Sequence, residues 1–343
     1  MKAAVYKGEQ RLEVEEVPTP TAGRGEVVVK TRYSAICGTD VHAFMYDVAP
    51  PGAVMGHEFC GVVSEIGEGV TGWKVGDRVV GGGGAPPPGA VNASVGARSN
   101  PRFNYRTMGM SNIKKRGYAE YVLLDEWEPI LIPDGVSDEE AALTEPCAVT
   151  IHAVRLSQIK LGDYVLVMGA GPIGLLCMQT ARAAGATKVF VSEPAAGRAE
   201  AARKLGADVV FDPKTEDIEK QIVELTGGRG PDIVFECAAV PNPSTLDQAL
   251  NIVSRDGQVV LVAIAWEPTP LVTPNWMARE VKMQASFGTA PEDWRVALEL
   301  IRSGKVSVDH MLSDANFLPL ADIQGAFESL MKPSKELQMV VRM

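Results

Sequence analysis

The sequence predicts an α/β fold in which a doubly wound parallel sheet accompanies a second, mostly antiparallel β domain. One observation is the change of pattern along the chain, from short strand-like segments separated by Gly and Pro to a regular alternation of strands and helices. A second is that the alternating strands are continuous runs of Val, Ile and Leu, which is typical of parallel sheets covered on both faces. A third is the length of 343 residues, which exceeds what one hydrophobic core usually supports. We therefore expect two domains.

The strand-like segments occupy residues 1 to about 130, and residues 81–117 interrupt them. The predicted strands are 3–6, 26–30, 61–66, 77–80 and 120–124, a set that suits antiparallel strands in a partly closed barrel. The interruption opens with glycines at 81–84 and prolines at 86–88, and it has no clear periodicity. We predict a flexible surface insertion there, with a functional lobe as the alternative.

The alternating part of the chain begins near residue 141. The predicted helices are 141–156, 175–184 and 198–205, and the predicted strands are 165–168, 188–192, 208–211, 232–236, 258–262 and 281–285. An amphipathic helix at 294–303 and a strand at 337–341 follow. Alternation of this kind predicts helices on both faces of one sheet.

Composition argues against several classes of partner and location. The formal net charge is −10, which disfavours nucleic acid or an anionic membrane surface as a partner. No run is long and apolar enough to span a bilayer, and the N-terminus lacks the apolar region of a signal peptide. The five cysteines are odd in number and scattered, so they predict no disulfide framework and a reducing, cytoplasmic location.

A glycine fingerprint follows the first strand of the alternating part. Gly169, Gly171 and Gly174 lie after a predicted strand and open a predicted helix, and Pro172 and Ile173 complete the loop. The first glycine of such a loop permits a tight turn, the second lets the backbone approach a pyrophosphate, and the third lets helix and strand pack closely. The segment predicts a dinucleotide site in which the helix N-terminus faces the phosphates.

The second strand of the alternating part leads to Glu193, nineteen residues after Gly174. A carboxylate at this place accepts hydrogen bonds from the ribose hydroxyls and repels a 2′-phosphate, which favours NAD over NADP. The alternative for Glu193 is a solvated loop acid. Arg198, five residues further on, either contacts the adenosine edge or is a helix-surface charge.

Three other segments carry side chains that suit Zn²⁺. Cys37, the pair His57 and Glu58, and Glu145 each lie on a separate loop-like stretch. Their wide spacing is unlike a zinc finger but agrees with a catalytic zinc, which takes three protein ligands and keeps one open position. The alternatives are a thiol that is a small buried hydrophobe and a histidine that is only hydrogen-bonded.

These segments also give the chain its resemblance to a known family. The matching blocks are Cys37-Gly38-Thr39-Asp40-Val41-His42, Gly56-His57-Glu58-Phe59-Cys60-Gly61, Val75-Gly76-Asp77-Arg78-Val79, Gly117-Tyr118-Ala119-Glu120-Tyr121, Glu145-Pro146 and the glycine fingerprint. Over essentially its whole length the chain resembles the zinc-dependent medium-chain dehydrogenase/reductase superfamily, in the style of sorbitol, butanediol and threonine dehydrogenases. The resemblance implies a Rossmann domain at 151–288 and a GroES-like catalytic domain at 1–150 and 289–343.

The resemblance further implies a ligand set for zinc. Cys37 and His57 would be ligands, and Glu58 and Glu145 would be ligands or close neighbours that exchange with water, with Glu58 also counted among the catalytic residues. Cys147 is an alternative to Glu145 as a ligand, but the Glu145-Pro146 match implies that Cys147 is a buried thiol instead. No Cys lies between Gly61 and Pro146, where many relatives hold four closely spaced ones, so we expect one catalytic ion and no structural zinc.

The proton path implied by the resemblance runs through Thr39 and His42, since a hydroxyl can accept and donate in one relay and histidine titrates near neutral pH. The alternatives are that Thr39 only caps a helix and that Asp40 or His42 is exposed.

The expected activity is hydride transfer between NAD and a secondary alcohol, diol or polyol. A zinc-independent quinone or enoyl reductase that uses NADPH and a non-enzymatic dinucleotide-binding protein are the alternatives. We expect a homodimer or homotetramer. Six apolar or aromatic residues are interpreted either as walls of the substrate pocket or as core: Phe44, Met45, Phe59, Tyr118, Trp266 and Phe287.

Overall fold

The computed structural model describes residues 1–85, 87, 117–238, 240, 244–265, 268–331 and 337–343. These residues form two compact units. The first comprises Met1–Glu145, Thr289–Arg302 and Val308–Met343, and the second comprises Pro146–Gly288 and Ser303–Ser307. No helix in the described part of the chain combines the length and apolar character that crossing a membrane requires.

The first unit is built mainly from antiparallel strands. Strands β1 (Lys2–Gly8) and β2 (Arg11–Glu16) pair as a hairpin. A second sheet has the order β14-β15-β3-β4-β5-β7, with β6 also paired to β3. Its strands are β3 (Glu26–Ala35), β4 (Glu58–Ile66), β5 (Arg78–Val80), β6 (Tyr121–Asp125), β7 (Ile130–Leu131), β14 (Phe317–Pro319) and β15 (Val340–Arg342). Only the β14–β15 pair is parallel.

Several helices complete the first unit. They are α1 (Gly38–Met45), α2 (Asp138–Ala141), the start of α3 (Thr144–Leu156), α9 (Pro291–Arg302) and α10 (Ile323–Leu330). Helix α2 begins with a capping box, in which the Glu140 amide donates to Ser137 Oγ and the Ser137 amide donates to Glu140 Oε2. A turn at residues 142 and 143 separates α2 from α3, so the predicted 141–156 helix begins at Thr144.

The second unit contains a six-stranded, all-parallel sheet of order β10-β9-β8-β11-β12-β13. Its strands are β8 (Tyr164–Met168), β9 (Lys188–Ser192), β10 (Val209–Phe211), β11 (Ile233–Glu236), β12 (Gln258–Leu261) and β13 (Lys282–Ala285). Helices α4 (Pro172–Ala183), α5 (Ala196–Lys204), α6 (Ile218–Leu225), α7 (Thr245–Ile252) and α8 (Thr273–Met277) connect them. A sheet that grows outward in both directions from its first strand is the doubly wound arrangement, so the predicted fold class is confirmed.

The glycines at the start of the predicted 81–117 insertion are buried, which contradicts a flexible surface segment at 81–84. A Cβ on Gly81 would lie 2.0 Å from the Phe59 ring, and one on Gly83 would lie 2.2 Å from the Trp294 ring. The glycines are therefore there because two aromatic rings lie directly against the backbone. The other residues of the insertion, apart from 85, 87 and 117, lie outside the described part of the chain.

Candidate functional site

Cys37 is held at the junction between a strand and a helix. It follows β3 and is the N-cap of α1, with its sulfur accepting a hydrogen bond from the Thr39 amide. The preceding residue is fixed on both sides, because the Ile36 amide donates to the Met339 carbonyl and the Ile36 carbonyl accepts from Gln338 Nε2, both at 2.9 Å. The C-terminal segment of the chain thus fixes the backbone just before the thiol.

His57 and Glu58 enter the same region from a second turn. Gly56 has a φ of +96°, a left-handed conformation, and a Cβ on it would lie 2.9 Å from the Tyr118 amide nitrogen. Only glycine fits this turn, which leads His57 and Glu58 into the start of β4. One donor atom each from Cys37, His57 and Glu58 lies within 4.8 Å of the other two. Three of the four side chains that the sequence suggested as metal ligands therefore converge.

Burial shapes the electrostatics of this cluster. Burial and the nearby Glu145 carboxylate raise the pKa of Glu58 to about 8. Burial and the Glu58 carboxylate raise the pKa of the Cys37 thiol to about 12. Burial alone would lower the pKa of His57, but the Asp40 carboxylate and the Cys37 sulfur outweigh it, and the pKa is raised well above its usual range. Without a cation, the Cys37 thiol and the Glu58 carboxyl therefore keep their protons at pH 7.

A divalent cation fits this cluster. Glu58 Oε2 is buried and has no hydrogen-bond partner among the described residues, and a thiol, an imidazole and a carboxylate are the donors that zinc takes. Glu145, the second residue of α3, is close enough to raise the pKa of Glu58 but is not one of the three residues whose donor atoms converge.

Thr39 and His42 both lie on α1. Thr39 is in the first turn rather than at the cap, and its Oγ1 is 2.7 Å from Cys37 Sγ, so the alternative that Thr39 caps the helix is wrong. The His42 ring stacks on Tyr46 with an interplanar angle of 10°, and His42 is half-buried. Burial lowers the pKa of His42, which keeps this imidazole neutral at pH 7.

Two residues behind the cluster were not assigned a role at the metal ligands from sequence. Asp40 is completely buried, so the alternative that it is exposed is wrong, and its Oδ2 lies 3.5 Å from His57 Nδ1. Tyr118, also completely buried, donates its hydroxyl to the same Oδ2 at 2.7 Å. Their only signal in the sequence was their place inside two of the matching blocks.

The six residues that the sequence left as either pocket walls or core do not all behave alike. Phe44, Phe59 and Tyr118 belong to hydrophobic clusters and are at most 1% exposed, so core is the correct assignment for them. Met45 and Phe287 are half-buried, and Trp266 lies outside the described residues.

The glycine loop of the second unit joins β8 to α4. Gly169 has a φ of +91°, and its amide donates to the Ser192 carbonyl at 2.8 Å. Gly171 is the N-cap of α4, with Pro172 in the first turn and Ile173 next to it, and a Cβ on Gly171 would meet nothing within 4 Å. A Cβ on Gly174 would lie 1.9 Å from the Gly169 carbonyl oxygen. Helix and loop therefore touch at Gly174, while space remains at Gly171.

Glu193 is 5% exposed and is not a solvated loop acid. Its Oε2 accepts a hydrogen bond from the Ala170 amide inside the glycine loop, and its Oε1 accepts one from the Ala195 amide, both at 2.8 Å. Each carboxylate oxygen has a further acceptor site for a ligand hydroxyl. Arg198 is half-buried on α5, and its Nε is buried without a hydrogen-bond partner among the described residues.

Comparison with known proteins finds a matching family for each unit. Residues 23–134 match the family described as alcohol dehydrogenase GroES-like domain, and residues 172–303 match the family described as zinc-binding dehydrogenase. The chain is 34% identical to the (R,R)-butanediol dehydrogenase of Bacillus subtilis over 100% of this chain and 99% of that protein. It is also 34% identical to a sorbitol dehydrogenase of Halalkalibacterium halodurans, covering 91% of this chain and 92% of that one.

Solved structures agree with these matches. The crystal structure of 2R,3R-butanediol dehydrogenase from Bacillus subtilis superposes with a TM-score of 0.85 at 32% identity, covering 100% of this chain and 99% of that one. A zinc-binding dehydrogenase of Sinorhizobium meliloti bound to NADP superposes with a TM-score of 0.84 at 29% identity, covering 100% of this chain and 99% of that one.

Proposed function

The chain belongs to the zinc-binding dehydrogenases with an alcohol dehydrogenase GroES-like domain, and we propose that it transfers a hydride between a secondary alcohol and NAD. Membership in this family makes the chain an enzyme of the oxidoreductase class. The observation that carries the proposal is the convergence of Cys37, His57 and Glu58 in one cluster. The same membership argues against a dinucleotide-binding protein without activity.

The cluster would hold one Zn²⁺ through Cys37 and His57, with Glu58 as the third ligand and Glu145 as a nearby carboxylate that exchanges with it. When bound, the ion would act as a Lewis acid that lowers the pKa of the alcohol hydroxyl. No structural zinc accompanies it in this proposal, because the sequence has no Cys between Gly61 and Pro146.

Thr39 and His42 would remove the proton. The Thr39 hydroxyl, beside the Cys37 sulfur, accepts a proton from the alcohol and passes its own on. His42 stays neutral at pH 7 because burial lowers its pKa, so it is ready to accept that proton near the surface.

The coenzyme of the proposal is NAD. The Glu193 carboxylate is fixed by two backbone amides, one of them in the glycine loop, and so has a defined place for ribose hydroxyls. A 2′-phosphate at that place would meet a buried negative charge, which disfavours NADP. Gly169, Gly171, Pro172, Ile173 and Gly174 would surround the pyrophosphate, with Arg198 at the adenosine edge.

The substrate class of the proposal is a secondary alcohol of diol or polyol type, as the names of the relatives indicate. Gly288 and Thr289 occupy the place where sorbitol-type relatives commonly carry an Arg-aromatic pair. The Thr289 hydroxyl accepts a hydrogen bond from Trp294 Nε1 at 2.9 Å and is nearly buried. This favours a small diol over a long polyol.

The test is an assay of NAD reduction over 2,3-butanediol, sorbitol, threonine and simple secondary alcohols, with zinc measured in the same samples. We expect turnover of at least one diol and about one zinc per chain. Cys37→Ser should lose both zinc and turnover, whereas Cys147→Ser, which alters another buried thiol on α3, should keep both. Full turnover by metal-free protein, or metal-independent reduction of an enone with NADPH, would favour the quinone or enoyl reductase instead.

We further propose a homodimer or homotetramer in a reducing cytoplasm, in keeping with five free cysteines. Strand β13 forms one edge of the parallel sheet, and Met283 on it is 49% exposed. Two copies of an uncovered edge can pair about a two-fold axis. Light scattering should give a multiple of 36.6 kDa, and Met283→Lys should weaken the association; a monomeric wild-type protein would contradict this.

A further inference from the structure

Tyr118 is a buried phenol that touches the metal cluster only through other groups. It is completely buried, and its ring packs edge-on against Phe327 with centroids 5.9 Å apart. Its hydroxyl is 2.7 Å from Asp40 Oδ2 and 3.3 Å from the Ala35 carbonyl oxygen. A buried hydroxyl needs a partner, and the shorter contact to a carboxylate is the stronger one.

Asp40 connects this phenol to His57. Its Oδ2 lies 3.5 Å from His57 Nδ1, so one carboxylate oxygen faces both the phenol and the imidazole. Asp40 Oδ1 is buried and has no hydrogen-bond partner among the described residues, so no described hydrogen bond holds the carboxylate at that oxygen. The orientation of Asp40 therefore depends on the Tyr118 hydroxyl.

Tyr118 also holds the backbone that leads into His57. The Tyr118 amide donates to the Met55 carbonyl at 3.1 Å, and the Gly117 amide donates to the Gly56 carbonyl at 3.0 Å. Gly56 packs so closely that a Cβ there would lie 3.0 Å from the Tyr118 ring. One residue therefore constrains both the chain that carries the imidazole and the carboxylate beside it.

We propose that Tyr118 is a positioning residue for the metal centre. It fixes Asp40, and Asp40 fixes the imidazole of His57 with Nδ1 as the donor, which leaves Nε2 for the metal. The inference rests on the proposed function of the cluster as a zinc site. Residues behind the ligands commonly contribute tenfold to a hundredfold to metal affinity, and Tyr118 acts one step further back. Loss of its hydroxyl should weaken zinc binding about tenfold.

The chain offers a matched control in Tyr6. It is completely buried in the same hydrophobic cluster as Tyr118, and its hydroxyl is hydrogen-bonded to the carboxylate of Asp47. Asp47 is not in contact with any residue of the metal cluster by a described hydrogen bond or ion pair. Tyr6→Phe thus removes the hydrogen bond of another core tyrosine to a carboxylate, here that of the exposed Asp47, without touching the path to His57.

The experiment measures the zinc dissociation constant of the full chain by competition with a chromophoric chelator, and records the visible spectrum of the cobalt-loaded protein. The variants are Tyr118→Phe, Tyr6→Phe, Asp40→Asn and the double variant Asp40→Asn with Tyr118→Phe. We expect Tyr118→Phe to raise the dissociation constant about tenfold and to alter the cobalt spectrum, and Tyr6→Phe to stay within about twofold of wild type. The double variant should bind zinc no more weakly than Asp40→Asn, since Tyr118 acts through Asp40.

Several results would overturn the inference. An unchanged dissociation constant in Tyr118→Phe, an equal loss in Tyr6→Phe, or an additional loss in the double variant would each do so. Should Tyr118→Phe fail to fold by circular dichroism, Asp40→Asn decides, because unchanged zinc binding and an unchanged spectrum in that variant would refute the hydrogen-bonded route from the Tyr118 hydroxyl through Asp40 to His57. A wild-type protein that binds no zinc would instead refute the proposed function itself.

Discussion

Two nearby glycines of the dinucleotide loop should respond differently to the same substitution. Gly171→Ala adds a methyl group to open space at a backbone φ of −68°, which alanine adopts easily. The lower unfolded-state entropy gains about 0.4–1 kcal/mol, and the poorer N-cap costs a similar amount, so stability should change by less than about 0.5 kcal/mol. Gly174→Ala places the methyl carbon 1.9 Å from the Gly169 carbonyl oxygen, which cannot move aside as a side chain would. Alanine stabilises the helix by about 1 kcal/mol through its higher helix propensity. The energy needed to push helix and loop apart should be larger, so the protein should lose about 1–3 kcal/mol of stability.

The assay that separates the two effects combines thermal unfolding without coenzyme and NAD titration by fluorescence. Gly174→Ala should unfold several degrees lower and bind NAD weakly, because the loop has moved. Gly171→Ala should unfold at the same temperature as the wild type. It should bind NAD about 5–150-fold more weakly, since a methyl group where the pyrophosphate comes closest reduces the binding free energy by about 1–3 kcal/mol. If Gly171→Ala binds NAD normally, the pyrophosphate does not lie where this loop predicts. If Gly174→Ala unfolds like the wild type, the close approach of helix and loop is wrong.

Three further substitutions test individual groups. Glu193→Ala should lower the ratio of kcat/KM for NAD to kcat/KM for NADP by at least about tenfold. It should also lower Tm, because the Ala170 and Ala195 amides lose a buried acceptor. An unchanged ratio would contradict the ribose role of Glu193. In metal-free protein the pKa of Glu58 is raised to about 8, so the folded state binds more protons than the unfolded state and stability falls as pH rises from about 4.5 to 8. As pH rises through this range, the Tm of Glu58→Gln should therefore increase relative to that of the wild type. If Tm depends on pH in the same way in both proteins, the pKa of Glu58 is not raised. His42→Asn should lower alcohol oxidation about 100-fold and abolish the loss of rate that we expect of the wild type below pH 6.5, since the pKa of His42 is lowered. If the variant still loses rate at low pH, that titration belongs to another group.

The pattern of the sequence predicted the parallel sheet closely because each of its strands is a local signal. The runs at 165–168, 189–191 and 233–235 are apolar throughout, since both faces of such strands are buried. The glycine loop was equally local, with its turn, cap and close contact all within six residues of one another. Predictions of this kind depend on neighbours in sequence and need no knowledge of the rest of the fold.

The support of the metal cluster could not be predicted in the same way. Asp40 and Tyr118 are 78 residues apart, and nothing in either segment shows that the hydroxyl of one reaches the carboxylate of the other. Gly81 and Gly83 looked like a flexible stretch because glycine runs usually are, whereas here two aromatic rings from distant parts of the chain require the missing Cβ atoms. The residues that the local pattern assigned wrongly are therefore those whose surroundings are set by long-range packing.

The charges around Cys37 explain why the chain keeps so costly an arrangement. Asp40 and Glu58 are almost fully buried carboxylates, and burying such a group without a partner costs several kcal/mol. A protein that only bound a dinucleotide would gain stability if Glu58 were replaced by an apolar residue of similar size. The cost is recovered if a cation enters, because the Glu58 proton and the Cys37 proton then leave and both groups become ligands. We therefore expect metal affinity, pH and folding to be linked in this unit, and we interpret Glu58 as a metal ligand rather than as part of the core.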